Sequence, residues 1–198
     1  MGLIQVEKGA VFARLQTEGI GDLIYNVIVP RPDGSEVDEL PLSYFDDLSV
    51  IVALAKLSSP SRILELCGNS CSMAPVIALN VSNCSIFTTS YSPENASSFI
   101  EIGTNARSNC IMPYSPQSSL DMNNFDIIIQ AVCDEDVGEA LNAHSAPLMS
   151  SNKDAAIIWR GCNAKTLEGL SRLSKRTGHA VPINFISDTS LCVYYPNK

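Results

Sequence analysis

From Arg62 to the C-terminus, short apolar segments take turns with longer mixed ones, and this alternation constrains the fold more than any other feature. Ile63-Leu64-Glu65-Leu66 is almost wholly apolar, the pattern of a strand buried on both faces, as strands of parallel sheets are. Cys67-Gly68-Asn69-Ser70-Cys71 reads as a turn into a helix at about Ser72–Leu79. Ser85–Thr89 is the next strand and Pro93–Arg107 the next helix. Ile111–Pro113 is a weak third strand, and Phe125–Ile129 a strong fourth that leads to a helix at about Val137–Met149. Ala155–Trp159 and a helix over Ala164–Arg176 follow. The chain closes with Val181–Ile186, the turn Ser187-Asp188-Thr189-Ser190, and Leu191–Tyr195. Alternating β and α units imply a parallel sheet with right-handed crossovers. The last two strands have only a tight turn between them, so they must pair antiparallel. The expectation is a seven-stranded, mostly parallel α/β sheet with an antiparallel last strand.

Upstream of this core, Val11, Ala13 and Leu15 alternate with Phe12, Arg14 and Gln16, the period of a half-buried strand. Gly19-Ile20-Gly21-Asp22 reads as a turn and Leu23–Val29 as a second strand. Pro30-Arg31-Pro32-Asp33-Gly34 ends it, which predicts a β-hairpin followed by an acidic loop. Ser43 with Asp46 three residues on looks like a helix N-cap. The helix would run to about Leu57, with Phe45, Leu48, Val52 and Ala55 near helical spacing. The division expected is an N-terminal hairpin and loop over 1–42 and an α/β domain over 43–198.

Composition excludes several classes. Apolar residues are 45% of the 198-residue chain and charged residues 17%, enough for a core and too apolar for a disordered chain. No apolar run approaches the roughly 18 residues that span a bilayer. The N-terminal stretch from Met1 to Glu7 lacks the basic-then-apolar order of a signal peptide, and Val6 does not fit myristoylation. Seven cysteines without a framework suit a reducing compartment, so the expected location is the cytoplasm and no membrane partner is expected. The formal net charge is −8. The one basic cluster, Lys165, Arg172, Lys175 and Arg176, reads as the solvated face of a helix rather than a phosphate-gripping surface. Nucleic acid is therefore not an expected partner.

The order of elements, together with local sequence, resembles class I S-adenosylmethionine-dependent methyltransferases. Ser61-Arg62-Ile63-Leu64-Glu65-Leu66-Cys67-Gly68 resembles their first strand and cofactor loop. Phe87-Thr88-Thr89-Ser90-Tyr91-Ser92-Pro93-Glu94 resembles the second strand and the start of its helix. Asn124-Phe125-Asp126-Ile127-Ile128-Ile129 resembles the fourth strand with its Phe-Asp start. The likeness covers about residues 43–198 and implies a Rossmann-like methyltransferase fold. The helix before the first strand is most similar to small-molecule O-methyltransferases, and a hairpin before the core resembles the spermidine synthase branch.

The resemblance implies a cofactor site built on Glu65, Cys67, Gly68, Asn69, Ser90 and Gln130, and each demanding position departs from the family pattern. The family loop Glu-x-Gly-x-Gly-x-Gly uses glycine to let backbone approach the cofactor. Its three glycine positions are Cys67, Asn69 and Cys71 here, with Gly68 one step out of register. Side chains added at Asn69 and Cys71 overpack that space at a cost of roughly 1–3 kcal/mol. The acid that would hold the ribose hydroxyls falls at Ser90, which cannot act as a bidentate carboxylate. That loss costs about 1.5–3 kcal/mol more. Together these weaken S-adenosylmethionine binding by roughly two to four powers of ten, at about 1.4 kcal/mol each.

The catalytic end is altered as well. Metal-dependent O-methyltransferases place an Asp after the fourth strand and an Asp-Asn pair after the fifth, oxygen ligands for a hard cation. Here these are Gln130-Ala131 and Trp159-Arg160-Gly161, with Asn163 the partial match, so no metal is expected. The Asp-x-x-Asp that ends the fourth strand in spermidine synthases aligns with Ala131 and Asp134, so only the second acid is kept. Asp134 and Arg160 are the weak catalytic candidates. Asp134-Glu135-Asp136 also reads as an acidic cap opening a helix. Arg160 falls at the carboxyl end of a central strand, where open α/β sheets bind ligands. An arginine there is costly unless it meets an anion or an acid. Cys67 and Cys71 at a helix start would have a lowered thiol pKa, but neither His144 nor His179 is placed to assist them, which favours inert thiols. Trp159, the only tryptophan, reads as core.

The function expected is that of a divergent methyltransferase-fold protein with weakened or lost S-adenosylmethionine binding, acting as a binding or regulatory subunit. One alternative is an active S-adenosylmethionine-dependent methyltransferase acting on a small molecule. A further alternative is spermidine-synthase-like aminopropyl transfer. A homo- or heterodimer through the N-terminal hairpin is expected, since a hairpin apolar on both faces does not stand alone in water.

Overall fold

The computed structural model describes residues 4–6, 26–30, 37–41, 46–66, 73–89, 110–114, 124–131, 155–161, 168–170, 172, 175, 184–186 and 189–194. Three strands precede the first helix: β1 (Ile4–Val6), β2 (Asn26–Pro30) and β3 (Val37–Pro41). Helix α1 spans Asp46–Ser58, β4 is Arg62–Leu66, and helix α2 is Ala74–Asn80. Then come β5 (Ser85–Thr88), β6 (Cys110–Pro113), β7 (Ile127–Ala131), β8 (Ala156–Arg160), β9 (Asn184–Ile186) and β10 (Leu191–Tyr194).

The large sheet has eight strands in the order β1-β9-β10-β8-β7-β4-β5-β6. Seven come from residues 62–194, as the alternation predicts. β4–β5, β5–β6, β4–β7 and β7–β8 are parallel. β10 is antiparallel to both β8 and β9, because the short connection after β9 reverses the chain. The eighth strand is an addition that no periodicity announced: β1 pairs parallel with β9, Ile4 opposite Asn184.

The hairpin before the core has different partners from those read in the sequence. β2 pairs antiparallel with β3, Asn26 opposite Pro41 and Pro30 opposite Val37. Pro30 is thus the last paired residue of β2, and the segment read as acidic loop supplies the second strand of the hairpin. Val11–Gln16, read as the first strand, lies outside the described residues, as do the helices expected at 93–107 and 137–149 and the cap at Ser43. β2 lies against α2 of its own chain.

Alternation within the strands sorts the core into two faces. Ile63, Ile86, Ile127, Ile129, Ile158, Leu191 and Val193 form one cluster with Val50, Ile51 and Leu54 of α1 and Ile77 of α2. Leu64, Phe87, Ile128 and Trp159, at intervening positions, are buried as well, so the sheet is covered on both faces. Six consecutive residues of α1, Val50–Ala55, are buried, the mark of a helix enclosed nearly all round. Val50, Ile51, Leu54 and Ala55 meet the sheet cluster, while Val52 packs on Val76 of α2 with Leu48 beside it. The expected stripe therefore splits between two neighbours. Residues 168–170, 172 and 175 are helical, and exposed Arg172 pairs with Glu168 one turn back, the solvated face expected there.

Candidate functional site

Strand order fixes where a ligand can enter. From β4 the chain proceeds outward to β5 and β6, whereas β7 lies on the other side of β4 and leads to β8. The order reverses between β4 and β7, and open α/β sheets hold ligands at the carboxyl ends of the strands flanking such a reversal. Those ends are Glu65-Leu66 and Gln130-Ala131, with Leu66 opposite Gln130 in the register.

Polar burial concentrates at the same place. Among the described residues, the buried polar or charged side chains are Glu65, Thr88 and Gln130, at 1%, 0% and 4% exposure. A carboxylate removed from water must be hydrogen-bonded. Glu65 Oε1 accepts the backbone N–H of Met73, and Oε2 accepts the Thr88 hydroxyl at 2.6 Å. Met73 is the N-cap residue of α2 and offers no side-chain cap of its own. Glu65 thus supplies the anion at that helix start, tying the segment after β4 back to the strand it left. The Glu65 carbonyl also accepts the Thr89 N–H at 3.1 Å, so β4 and β5 stay bonded to their carboxyl ends.

Two strands away lies a second network. Asp47, in the first turn of α1, accepts the Ser190 N–H at Oδ1 (2.8 Å) and the Ser190 hydroxyl at Oδ2. Ser190 Oγ in turn accepts the Gly161 N–H at 3.1 Å. The Arg160 Nε stands 3.9 Å from Asp47 Oδ2, with the Arg160 side chain 34% exposed. The arginine at the end of β8 therefore meets an acid of its own chain. Gly161 has φ 86°, a conformation that favours glycine, and it turns the backbone so that its N–H reaches Ser190. This network stitches α1, the end of β8 and the turn before β10 together.

At the opposite end of the sheet, Asp126 accepts the N–H groups of Ser61 (2.7 Å) and Arg62 (3.0 Å). The Phe-Asp motif is thus a fastener for the entry of β4, and β7 begins only after it. Phe125 is buried, and Arg62 lies 5.0 Å from the Phe87 ring centre and 5.1 Å from that of Phe125.

Of the residues singled out in the sequence, Glu65 and Gln130 lie at the carboxyl ends of the two strands flanking the reversal, at successive register positions and so on opposite faces of the sheet, and Arg160 lies at the same end of β8, beside β7. Trp159 is fully buried beside Tyr194, at 6.5 Å between ring centres, and is core as expected. Cys67, Gly68, Asn69, Cys71, Ser90, Asp134, His144 and His179 lie outside the described residues. Sequence reasoning missed Asp47, Thr88 and Ser190. Asp47 reads as an ordinary acid in a first helical turn, and nothing local links it to a serine 143 positions away. Among the described residues, no three His, Cys, Asp or Glu side chains are grouped to hold a metal ion, and no helix is long and apolar enough to cross a membrane.

No protein-family model matches the chain, and no curated protein matches it in sequence. Solved structures do match. The methyltransferase domain of METTL16 is 13% identical with a TM-score of 0.55, covering 96% of this chain and 81% of that one. The methyltransferase domain of bacterial CtHen1-C is 15% identical with a TM-score of 0.53, covering 77% and 97% respectively. The CMeT domain of the citrinin polyketide synthase is 10% identical with a TM-score of 0.51, covering 77% and 52%. At such identities the likeness is one of fold. With the strand order, the parallel core and the antiparallel β10, it gives this chain the Rossmann-like fold of the class I S-adenosylmethionine-dependent methyltransferases.

Proposed function

We propose that this is a divergent methyltransferase-fold protein in which S-adenosylmethionine binding is weakened or lost, and that it works as a binding or regulatory subunit. The observation that carries this reading is the engagement of Glu65. It is the only acid in sequence between Asp47 and Glu94, and so the only one contributed by β4 or β5 themselves. Both its oxygens accept hydrogen bonds from the chain itself, from Met73 and Thr88. The Thr88 hydroxyl is committed to that bond, and β5 is followed by Thr89-Ser90, which offers no carboxylate to a ribose diol. These residues do not fit the cofactor well. The alternative of an active transferase draws on the intact strand-order reversal, with Glu65 and Gln130 on either side of the crevice.

A subunit role includes a partner. A two-stranded hairpin is marginal by itself. β2 lies against α2, and we assign the remainder of the β2–β3 hairpin to contact with a partner subunit, in a homodimer or a heterodimer.

A thermal-shift screen with S-adenosylmethionine, S-adenosylhomocysteine and decarboxylated S-adenosylmethionine tests the reading, since a tight ligand raises the unfolding midpoint by mass action. No shift with any of the three is expected. A saturating shift with the first two would overturn the reading in favour of methyl transfer. A shift with the decarboxylated compound alone would overturn it in favour of aminopropyl transfer.

A further inference from the structure

Helix α2 is seven residues long, about two turns. A helix this short is marginal by itself, so its place depends on what it touches. Met73, Ala74, Ile77 and Ala78 belong to the cluster that α1 and the sheet share. Val76 instead packs on Val52 of α1, outside that cluster. The helix start is held by Glu65, whose Oε1 accepts the Met73 N–H, and Met73 adds no side-chain cap. Glu65 is buried, so water does not replace that bond while α2 stays in place.

The β2–β3 hairpin depends on the same helix. Among the described residues its strands form a sheet of their own, and no ladder joins them to the eight-stranded sheet. Two paired strands alone are marginal in water. β2 packs against α2, and among the described elements this is the hairpin's most extensive contact with the rest of the chain. α2 thus meets both the crevice carboxylate and the hairpin. A contact that two elements share stabilises both, and the effect is reciprocal. Loosening α2 removes the surface on which the hairpin stands. Holding the hairpin in place favours the α2 position that keeps the Met73 N–H on Glu65.

We propose that the β2–β3 hairpin, α2 and the Glu65 cap form one cooperative unit, through which whatever occupies the hairpin bears on the crevice. Local opening in proteins occurs in contiguous units of this kind, often one supersecondary motif with its neighbours. The regulatory sense of the coupling rests on the subunit reading above, in which a partner sits on the hairpin. Such a partner holds Glu65 in its bond to Met73. A crevice ligand that draws Glu65 away from Met73 then works against the partner by the same factor. β8 is paired with β7 and β10, lies outside the unit and serves as the internal reference.

The test is hydrogen–deuterium exchange of the full chain, read by mass spectrometry over residues 26–41, 73–80 and 156–160. Glu65→Gln keeps the side-chain shape and removes the charge at the start of α2. It should speed exchange at least about threefold over 73–80 and over 26–41 alike, the scale of a charge lost at a helix start, with β8 unchanged. Val27→Gly with Val29→Gly weakens β2 and leaves the crevice residues untouched. It should speed exchange over 73–80 as well as over 26–41. Faster exchange confined to 73–80 in Glu65→Gln, or confined to 26–41 in the glycine variant, would overturn the coupling. Equal acceleration in β8 would overturn it too, as global loosening. If Glu65→Gln does not fold, the glycine variant decides alone. No ligand takes part, so the outcome is read separately from the ligand screen that tests the proposed function.

Discussion

The Thr88–Glu65 hydrogen bond lends itself to a quantitative test. Thr88→Val preserves the β-branched shape of a side chain with 0% exposure and removes only the hydroxyl that donates to Glu65 Oε2 at 2.6 Å. One oxygen of a buried carboxylate then loses a donor, which costs about 1–3 kcal/mol and more for a charged group. Relief through solvent is small, because Glu65 is itself 1% exposed. In a domain of this size a loss of about 2 kcal/mol lowers Tm by roughly 4–8 °C. Glu65→Gln separately perturbs the bond to Met73, and combining the two substitutions isolates the pair. A cycle of single and double variants should return a coupling of about 1.5–3 kcal/mol, the range for hydrogen bonds to charged groups. Urea unfolding monitored by the fluorescence of Trp159, fully buried in the folded chain, supplies the four free energies. A coupling near zero would refute the assignment of Glu65 as a committed structural carboxylate.

Other outcomes follow from the same geometry. Asp47→Asn weakens a carboxylate that accepts two donors from Ser190, and should cost about 1–2 kcal/mol in urea unfolding; an unchanged midpoint would remove the stitch between α1 and β10. Cys110 is exposed while Cys84 and Cys192 are buried, so mass spectrometry after brief alkylation of the native protein should find Cys110 modified and the other two protected. Burial pushes the Cys84 thiol up from 9.0 to about 12, helped by Asp126 and Cys110 nearby. Above about pH 9 the unfolded chain therefore deprotonates first, and stability should fall between about pH 9 and pH 12; a Cys84→Ala variant with the same alkaline slope would contradict this. Light scattering at high protein concentration should give the mass of a dimer, and a monomer would count against the hairpin as a subunit contact.

The fold was largely legible because its signals are redundant. Ile63–Leu66, Ile127–Ile129 and Ile157–Trp159 are runs of apolar residues that only a sheet covered on both faces accommodates, and a short connection before Leu191 leaves β10 no direction but antiparallel. The N-terminal region carries weaker signals. Leu23–Val29 reads as a strand from either side, but pairing is a long-range choice. Val37–Pro41 contains Asp38 and Glu39, which hide a strand from any apolar count. β1, three residues long, owes its place to β9 rather than to its own pattern. At the site, Glu65 and Gln130 were legible from the resemblance, and the partners of Glu65 were not. Thr88 reads as an ordinary β-branched strand residue until the register sets Glu65 opposite it. The same holds for Arg160, whose acid lies on the helix before β4.

The function proposed for this chain rests on S-adenosylmethionine binding being weakened or lost at the carboxyl ends of β4 and β7. Isothermal calorimetry with S-adenosylmethionine on the unmodified chain, and on the triple variant Asn69→Gly, Cys71→Gly and Ser90→Asp, addresses it most directly. Restoring two glycines and a carboxylate should recover roughly two to four powers of ten in affinity, at about 1.4 kcal/mol each. No measurable heat is expected for the unmodified chain, and a measurable binding isotherm for the triple variant. Micromolar affinity in the unmodified chain would contradict it and make the protein a working transferase.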